Sequence, residues 1–325
     1  MSTTRTKFGA IALFATASML LAGCSAQSPD ASTPSGSSDA GTSDVITIDT
    51  TNGAVEVPVN PERVVALDNT SFETLRDLGI TPVAVPKGLL PDVGYEDWIA
   101  DESILDVGMH REPNLEAVSE AEPDLIIGGY RFQDYQDDLE SIALTIDIAG
   151  NDEYADGWVE SLKHQTETLG QIFEKEDEAA AIIEELEAAE SEAAAATNGE
   201  TVFLSVVSAG KIDNGAGRIG RILEPLNLVD VFAGEEGDVH GDSGLAPETI
   251  AQANPDWVIV LDRDAAAGEG EVLPAEQVFA AQEAFANTTF TTEDHIIYLD
   301  PYFYVREGIQ AYTEAYEQIA TAFTK

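Results

Sequence analysis

Three arginines stand where the chain leaves predicted strands. Arg131 comes four residues after Ile127, Arg263 comes four residues after Ile259, and the two arginines lie 132 residues apart. Arg218 lies in the glycine-rich stretch 214–220, and glycine lets a ligand come close to the backbone. Arginine keeps its charge and offers a planar fork of donors to oxygen anions. Spacing alone leaves two interpretations open: a trap for an anion, or three surface arginines paired with local acids.

Two further side chains could bind a metal. Tyr304 follows the predicted strand Ile296–Leu299, and His240 lies in the predicted loop Gly237–Gly241. A phenolate is a hard oxygen donor that suits Fe(III), and imidazole also suits iron. Packing of the last helix is the alternative for Tyr304, and a surface position is the alternative for His240. The sequence contains no Gly-x-Ser-x-Gly, His-Glu-x-x-His or Walker motif, so we expect no enzyme.

Short apolar runs alternate with helical segments, which predicts βα units and mostly parallel sheets. The runs are 64–67, 125–127, 145–148, 202–204, 258–261 and 296–299. Residues 116–127 match residues 248–259 without a gap, as a helix, a Pro-Asp turn and a strand. Chance similarity of two βα units is the alternative to a true repeat. Ligands bind at the carboxyl ends of strands in open α/β sheets, so each half places one arginine there.

A long helical segment divides the two halves. Residues 155–197 carry no strand pattern. We expect an N-terminal α/β lobe at 45–154, a connecting helix at 155–174 and a C-terminal α/β lobe at 175–325. The first lobe is predicted to open with a hairpin that turns at Asn52-Gly53.

The N-terminus is typical of an exported lipoprotein. Arg5 and Lys7 precede the apolar run Phe8–Leu20, so 1–23 is predicted to be a secretory signal peptide. The following Leu-Ala-Gly-Cys resembles the bacterial lipobox, in which Cys24 becomes lipidated; a buried free cysteine is the alternative. Residues 24–44 are rich in Ser, Ala, Gly and Thr, which predicts a flexible tether. We therefore expect an extracytoplasmic protein held at the cell membrane.

The charge of the chain excludes some partners. Among 325 residues, 61 Asp and Glu face 15 Lys and Arg, for a formal net charge of −46, or −48 once Arg5 and Lys7 are removed. Nucleic acid and anionic lipid surfaces both require basic footprints, so neither is expected to bind. An anionic ligand remains possible only if the few arginines gather at its site.

From about Ile46 to its end, the chain resembles the class III substrate-binding lipoproteins of ABC transporters for ferric siderophores, and above all their catecholate-binding branch. The matching stretches are 61–65, 112–116, 123–127, 217–220, 239–241, 254–263 and 298–301. The resemblance implies an α/β fold of two Rossmann-like lobes joined by a single long helix, here Asp156–Phe173. It also implies a protein that binds and releases its ligand without chemistry.

The resemblance assigns roles to the residues above. In the catecholate branch three arginines line the cleft, and Arg131, Arg218 and Arg263 occupy those motif positions. A histidine and a tyrosine can fill iron positions that a siderophore leaves open, which implies His240 and Tyr304, with Tyr302 as the alternative tyrosine. Arg306 and Glu307 replace small residues of the family pattern, so the rim of the pocket is expected to differ.

An acid on each lobe docks this family on its permease, which implies Glu73 and Glu224. The resulting hypothesis is a monomeric, lipid-anchored receptor without an intrinsic cofactor, which captures Fe(III) as a siderophore chelate and delivers it to an ABC importer. Haem, held by an axial Tyr or His, and ferric citrate are alternative ligands. A surface or adhesion lipoprotein without a transport role and, as the weakest, an extracellular hydrolase are alternatives from other classes.

Overall fold

The computed structural model describes residues 44–151, 157–235, 243–267 and 272–325. The signal peptide 1–23, Cys24, all but the last residue of the tether, and His240 lie outside these ranges. Within them, no helix is both long and apolar enough to cross a bilayer.

The strands are β1 (Val45–Thr50), β2 (Gly53–Pro58), β3 (Val64–Ala66), β4 (Ala84–Val85), β5 (Leu105–Asp106), β6 (Gly108–Met109), β7 (Glu112–Pro113), β8 (Leu125–Ile127), β9 (Thr145–Ile146), β10 (Thr201–Ser208), β11 (Lys211–Asn214), β12 (Val229–Asp230), β13 (Trp257–Asp262) and β14 (Ile296–Tyr298). The α-helices are α1 (Phe72–Asp77), α2 (Glu96–Ala100), α3 (Leu115–Glu120), α4 (Gln136–Glu140), α5 (Trp158–Ile172), α6 (Glu176–Ala196), α7 (Ala216–Ile219), α8 (Pro247–Ala253), α9 (Arg263–Ala267), α10 (Ala275–Ala280), α11 (Thr289–Thr292), α12 (Phe303–Arg306) and α13 (Ile309–Phe323). Short 3-10 helices lie at Asn69–Ser71, Lys87–Leu89, Tyr130–Tyr135, Gly220–Leu223 and Glu283–Phe285.

The first sheet follows the predicted hairpin β1–β2 and has the order β5-β4-β3-β8-β9. All its neighbouring strands are parallel. Its central strands are apolar at every position because both faces are covered: Val64 and Ala66 pack into one core, and Val65 packs into another. Strands buried on both faces lose the alternation of half-exposed strands, which explains why β3 and β8 are continuous apolar runs in the sequence.

The second sheet has the order β11-β10-β13-β14. The strands β10, β13 and β14 are parallel, as predicted. Its outer edge was not predicted: β11 runs antiparallel beside residues 205–208 of β10, and the two-residue β12 pairs in parallel with Thr201 and Val202. Only Ile212 in β11 is hydrophobic, so periodicity does not indicate a strand there.

The repeat predicted from sequence holds in three dimensions. In each copy a residue with left-handed backbone follows the helix: Glu122, with φ 46°, two residues after α3, and Asn254, with φ 45°, directly after α8. The aspartate two residues later accepts a hydrogen bond from the backbone where the neighbouring strand begins. Asp124 accepts from the N–H of Arg63 at 2.9 Å, and Asp256 accepts from the N–H of Thr201 at 2.8 Å. These aspartates therefore hold β3 against β8, and β10 against β13.

The helix α5 contacts the cores of both sheets. Trp158 and Leu162, in its first turns, pack in the core on one face of the second sheet. Leu169 and Ile172, in its last turns, pack in a core of the first sheet. This is the placement expected of a connecting helix. The lobe boundaries at 154 and 174 stay a prediction.

We call residues 303–310 the C-terminal strap. They contact residues 69–77, which follow β3 at the rim of the first sheet. The side-chain amide of Asn69 donates to the carbonyl of Val305 at 2.8 Å, and that of Gln310 donates to Asp77 at 2.8 Å. Gly308 lies against the carbonyl oxygen of Thr70 so closely that no Cβ would fit. The strap thus joins the two halves on a path separate from α5.

Candidate functional site

The three predicted arginines converge on one aromatic ring. The guanidinium carbons of Arg131, Arg218 and Arg263 lie 5.7, 4.8 and 5.3 Å from the ring centroid of Tyr304. All three distances fall within the range of about 6 Å over which a cation is attracted to a ring face. We call these four residues the arginine cluster. The structure therefore brings together every predicted ligand-binding residue except His240, which lies outside the described ranges.

Short helices, rather than the predicted loops, carry the arginines. Arg131 lies in the 3-10 helix after β8, and Arg263 begins α9 directly after β13. Arg218 lies in α7, which follows the antiparallel edge strand β11. A Cβ on Gly215 would come within 2.6 Å of the backbone of Ser205, so this glycine lets α7 cross β10 closely. Packing thus accounts for Gly215, whereas a Cβ on Gly217 would meet open space. Close approach of a ligand to this stretch stays a prediction.

Burial and the neighbouring arginines shift the pKa of Tyr304 in opposite directions. Burial by itself raises the pKa of this phenol, but a hydrogen bond from Arg263 and the charges of Arg218, Arg263 and Arg131 together bring the pKa below its usual value. The cluster therefore favours a phenolate, an anionic oxygen that Fe(III) prefers. Tyr302, the alternative, instead lines a separate pocket of about 260 Å³ with Glu73 and Arg306.

Protein atoms occupy several donors of Arg131. Its Nε donates to Asn69 Oδ1 at 3.0 Å, and one terminal nitrogen donates to the carbonyl of Tyr304 at 3.2 Å and to Glu307 Oε2 at 3.1 Å. The hydroxyl of Tyr130 donates to the same Glu307 oxygen at 2.8 Å. The side chains of Arg131 and Glu307 are only 15% and 6% exposed. Arg131 is therefore fixed in a largely buried ion pair.

Arg263 keeps an unused donor. One terminal nitrogen donates to Ser208 Oγ at 3.2 Å, while Nε is buried and has no hydrogen-bond partner among the described residues. A buried donor without a partner costs about 1–3 kcal/mol. An acceptor oxygen on a ligand would remove that cost, so Arg263 is better prepared than Arg131 to bind an anion.

The described residues provide few donors for a metal. Within 44–151, 157–235, 243–267 and 272–325, no three side chains of His, Cys, Asp or Glu gather as a metal site. Tyr304 is the predicted iron donor that these ranges include. Iron coordination by His240 and Tyr304 stays a prediction.

The two predicted docking acids differ in their surroundings. Glu73 accepts a hydrogen bond from Arg306 Nε at 2.7 Å, and Arg306 also holds both oxygens of Glu314 at 2.7 and 2.9 Å. Burial raises the pKa of Glu73, although Arg306 opposes the shift. Glu224 is exposed after the 3-10 helix Gly220–Leu223. Docking through either acid stays a prediction, and for Glu73 it would compete with the Arg306 ion pair.

Two aromatic side chains that the sequence analysis did not identify, Trp158 and Tyr130, lie beside the arginine cluster. The guanidinium of Arg221 lies 3.9 Å from the ring centroid of Trp158, and the ring of Tyr130 lies 5.8 Å from the same indole. Trp158 belongs to the buried face of α5, and nothing local in the sequence places it near the site. Because Tyr130 also contacts Glu307, the Trp158 indole is well placed to report on the site by fluorescence.

Known proteins resemble this chain over most of its length. Residues 64–303 match the family model of periplasmic binding proteins. The petrobactin-binding protein YclQ of Bacillus subtilis is 28% identical over 278 residues, which cover 83% of this chain and 85% of that protein. The ferric-anguibactin-binding protein FatB of Vibrio anguillarum is 25% identical over 260 residues, which cover 78% and 80%.

Solved structures agree with these matches. The crystal structure of YclQ has a TM-score of 0.74 and 27% identity, and the match covers 87% of this chain and 99% of that one. The periplasmic catecholate-siderophore binding protein VctP of Vibrio cholerae also has a TM-score of 0.74 and 27% identity, with 86% and 99% covered. The family resemblance and the α/β fold predicted from sequence motifs are confirmed. The chain belongs to the periplasmic binding protein family.

Proposed function

We propose that this protein is an extracytoplasmic solute-binding protein that captures an Fe(III)-siderophore of the catecholate type and delivers it to an ABC importer. The observation that carries the proposal is the convergence of Arg131, Arg218 and Arg263 on Tyr304. A protein with 61 acidic residues has little reason to collect three cations at one point unless an anion binds there. The names of YclQ, VctP and FatB support the same class of ligand.

Capture is electrostatic. Arginines donate charge-assisted hydrogen bonds to oxygen anions. Arg263 has a buried Nε donor without a partner among the described residues, so this donor is proposed to bind the chelate. The overall negative charge repels an anionic chelate at long range, but salt screens exposed charges beyond about 8 Å. Within that distance the arginine cluster decides whether the chelate stays.

Tyr304 adds a second contribution. The arginines lower its pKa and so favour the phenolate, which is proposed to occupy an iron position that the siderophore leaves open. His240 is proposed to do the same from the segment 237–241. Iron here is cargo that arrives within its chelate and leaves with it.

Membrane attachment and docking complete the proposal. Lipidation of Cys24 would hold the protein at the membrane through the tether 24–44. Replacement by C24A should abolish incorporation of labelled palmitate and release the protein from membranes. Glu73 and Glu224 are proposed to meet the permease, so E73Q and E224Q should reduce uptake in cells without changing ligand affinity in solution.

Fluorescence quenching of the chain that starts after Cys24 tests the ligand. Ferric catecholate, ferric hydroxamate, ferric citrate and haem are titrated in parallel, with Trp158 as the principal reporter. Tight quenching by ferric catecholate, with a visible band altered in Tyr304→Phe and in His240→Ala, supports both the ligand and the iron donors. Binding of haem or citrate alone would reject the catecholate assignment. Binding of none would favour the adhesion alternative.

A further inference from the structure

We propose that Glu307 makes this site select ferric chelates of low negative charge and reject triply anionic ones. The inference rests on the proposed function, which it narrows to a class of chelate. It starts from the carboxylate that pairs with Arg131, since this acid lies beside a cluster otherwise built from cations.

Glu307 is held in an unusual position. It ends α12 with left-handed backbone at φ 50°, and the residue is 4% exposed. Left-handed backbone is uncommon for a residue with a long side chain, and burial of a carboxylate is costly unless it is paired. Two donors offset that cost: the Tyr130 hydroxyl at 2.8 Å and the Arg131 guanidinium at 3.1 Å. Glu307 therefore stays beside the cluster despite a strained backbone conformation and a buried charge.

The neighbouring ion pairs show that Glu307 pairs with Arg131 and not with the adjacent Arg306. The adjacent Arg306 has acids of its own, with Glu73 at 2.7 Å on Nε and both oxygens of Glu314 on its terminal nitrogens. Glu307 therefore does not serve Arg306. Its negative charge therefore offsets one of the three arginine charges that surround Tyr304.

This balance bears on which chelate fits. Fe(III) with three catecholates is triply anionic, whereas Fe(III) with two catecholates is singly anionic and Fe(III) with three hydroxamates is neutral. Unit charges several ångströms apart near a protein surface interact by amounts worth about tenfold in affinity or more. A fixed buried anion beside the ligand therefore penalises a chelate in proportion to its negative charge, and the triply anionic complex suffers most.

The test compares three ferric chelates: a neutral trihydroxamate, a singly anionic bis-catecholate and a triply anionic tris-catecholate. Their dissociation constants are measured by tryptophan quenching on the wild type and on Glu307→Gln. The amide keeps an acceptor for Tyr130 and Arg131 but removes the charge. We expect Glu307→Gln to strengthen binding of the tris-catecholate about tenfold more than that of the bis-catecholate, with the trihydroxamate changed less than about twofold.

Glu314→Gln is the matched control. It removes one negative charge from the same part of the chain but pairs with Arg306 rather than Arg131, so all three affinities should stay within about twofold. Thermal melting establishes that both variants are folded. The double variant Arg131→Gln with Glu307→Gln restores the net charge and should return the ratio of tris- to bis-catecholate affinity to that of the wild type.

Other outcomes separate the two proposals. If Glu307→Gln shifts all three affinities equally, or shifts none, the charge-selection proposal is overturned while siderophore binding stands. The same holds if the double variant keeps the altered ratio. If no ferric chelate binds the wild type or any variant, the proposed function itself fails, and the charge-selection proposal with it.

Discussion

Arg131 and Arg263 occupy the same place in two copies of a repeat, yet they meet different surroundings. Arg131 comes four residues after Ile127, and Arg263 comes four residues after the matching Ile259. Their guanidinium carbons lie 5.7 and 5.3 Å from the ring centroid of Tyr304. Arg131 is tied to Glu307 and Asn69. Arg263 donates hydrogen bonds to Ser208 and Tyr304, and its buried Nε has no partner among the described residues.

The contrast separates what the repeat provides from what the rest of the chain adds. Both copies keep the aspartate that ties neighbouring strands, Asp124 and Asp256. The difference between the arginines comes from the C-terminal strap, which belongs to neither copy and brings Glu307 to one arginine alone. The two copies therefore differ in function: Arg131 is bound by protein atoms, whereas Arg263 keeps a donor that a ligand could use.

The largest expected effect is on stability. Arg131→Met should lower the free energy of unfolding by about 3–5 kcal/mol, because it leaves Glu307 buried without its cationic partner. Arg263→Met should lower it by about 1 kcal/mol or less, since it also removes an unsatisfied donor. Urea denaturation at fixed pH measures both. Adding Glu307→Gln to Arg131→Met should recover most of the loss, and equal losses for the two arginines would contradict the contrast.

A second difference between the sheets predicts a pH effect. The fully buried Asp68 lies two residues beyond β3, and the corresponding position of the second copy, counted from its paired strands, is the apolar Val206 of β10. Burial raises the pKa of Asp68 from 3.8 to about 7, against hydrogen bonds from Thr70 and Gln165. The folded protein then binds a proton that the unfolded chain releases. Stability should therefore fall as pH rises from about 4 to about 7.

Replacing the acid isolates this contribution. Between about pH 5 and pH 8 the wild type should lose about 3 kcal/mol more stability than Asp68→Asn. The exposed Asp77→Asn serves as the control and should follow the wild type. Denaturation curves at both pH values measure the difference, and parallel losses in wild type and Asp68→Asn would show that Asp68 is ionised throughout.

Ligand affinity should rank the arginines in the opposite order from stability. Arg263→Gln should weaken binding of a ferric bis-catecholate about thirtyfold, because a charge-assisted hydrogen bond contributes about 2 kcal/mol. Arg131→Gln should weaken it by about fivefold or less, since protein atoms already hold its donors. Tryptophan quenching gives both constants. A larger loss for Arg131→Gln would mean that Arg131 leaves Glu307 when the ligand binds.

The smallest expected effect is a difference between the pKa values of Tyr130 and Tyr304, which absorbance spectroscopy can measure. Burial, reinforced by Glu307, raises the pKa of Tyr130, whereas the arginine cluster lowers the pKa of Tyr304. In a titration followed by near-ultraviolet absorbance, Tyr304→Phe should remove tyrosinate signal at lower pH than Tyr130→Phe does. Arg263→Gln should move the Tyr304 step upward. Coincident steps for the two tyrosines would show that the arginines do not favour the phenolate.

Local patterns predicted much of this molecule. Continuous apolar runs identified the central strands because these are buried on both faces. The repeat and the placement of Arg131 and Arg263 followed from a helix, a Pro-Asp turn and a strand within twelve residues. Tyr304 was chosen over Tyr302 by alignment with a family pattern, and the structure places Tyr304 among the arginines.

What the sequence could not predict depends on distant partners. Glu307 pairs with Arg131 across 176 positions, and Arg306 pairs with Glu73 across 233. Among 61 acids nothing local distinguishes these two. The edge strand β11 was missed because one apolar residue in four carries no periodicity. It forms because β10 leaves unpaired backbone groups beside it, which is a tertiary rather than a local cause.

The C-terminal strap also has a consequence for how the chain folds. The ribosome makes residues 69–77 well before their partners in the strap, which lie 236 positions later in the case of Asn69 and Val305. Contacts of such high sequence separation form late, because a long loop must close first. The first sheet can therefore pair its strands before its rim has these partners, and we expect the strap to close on that rim late in folding.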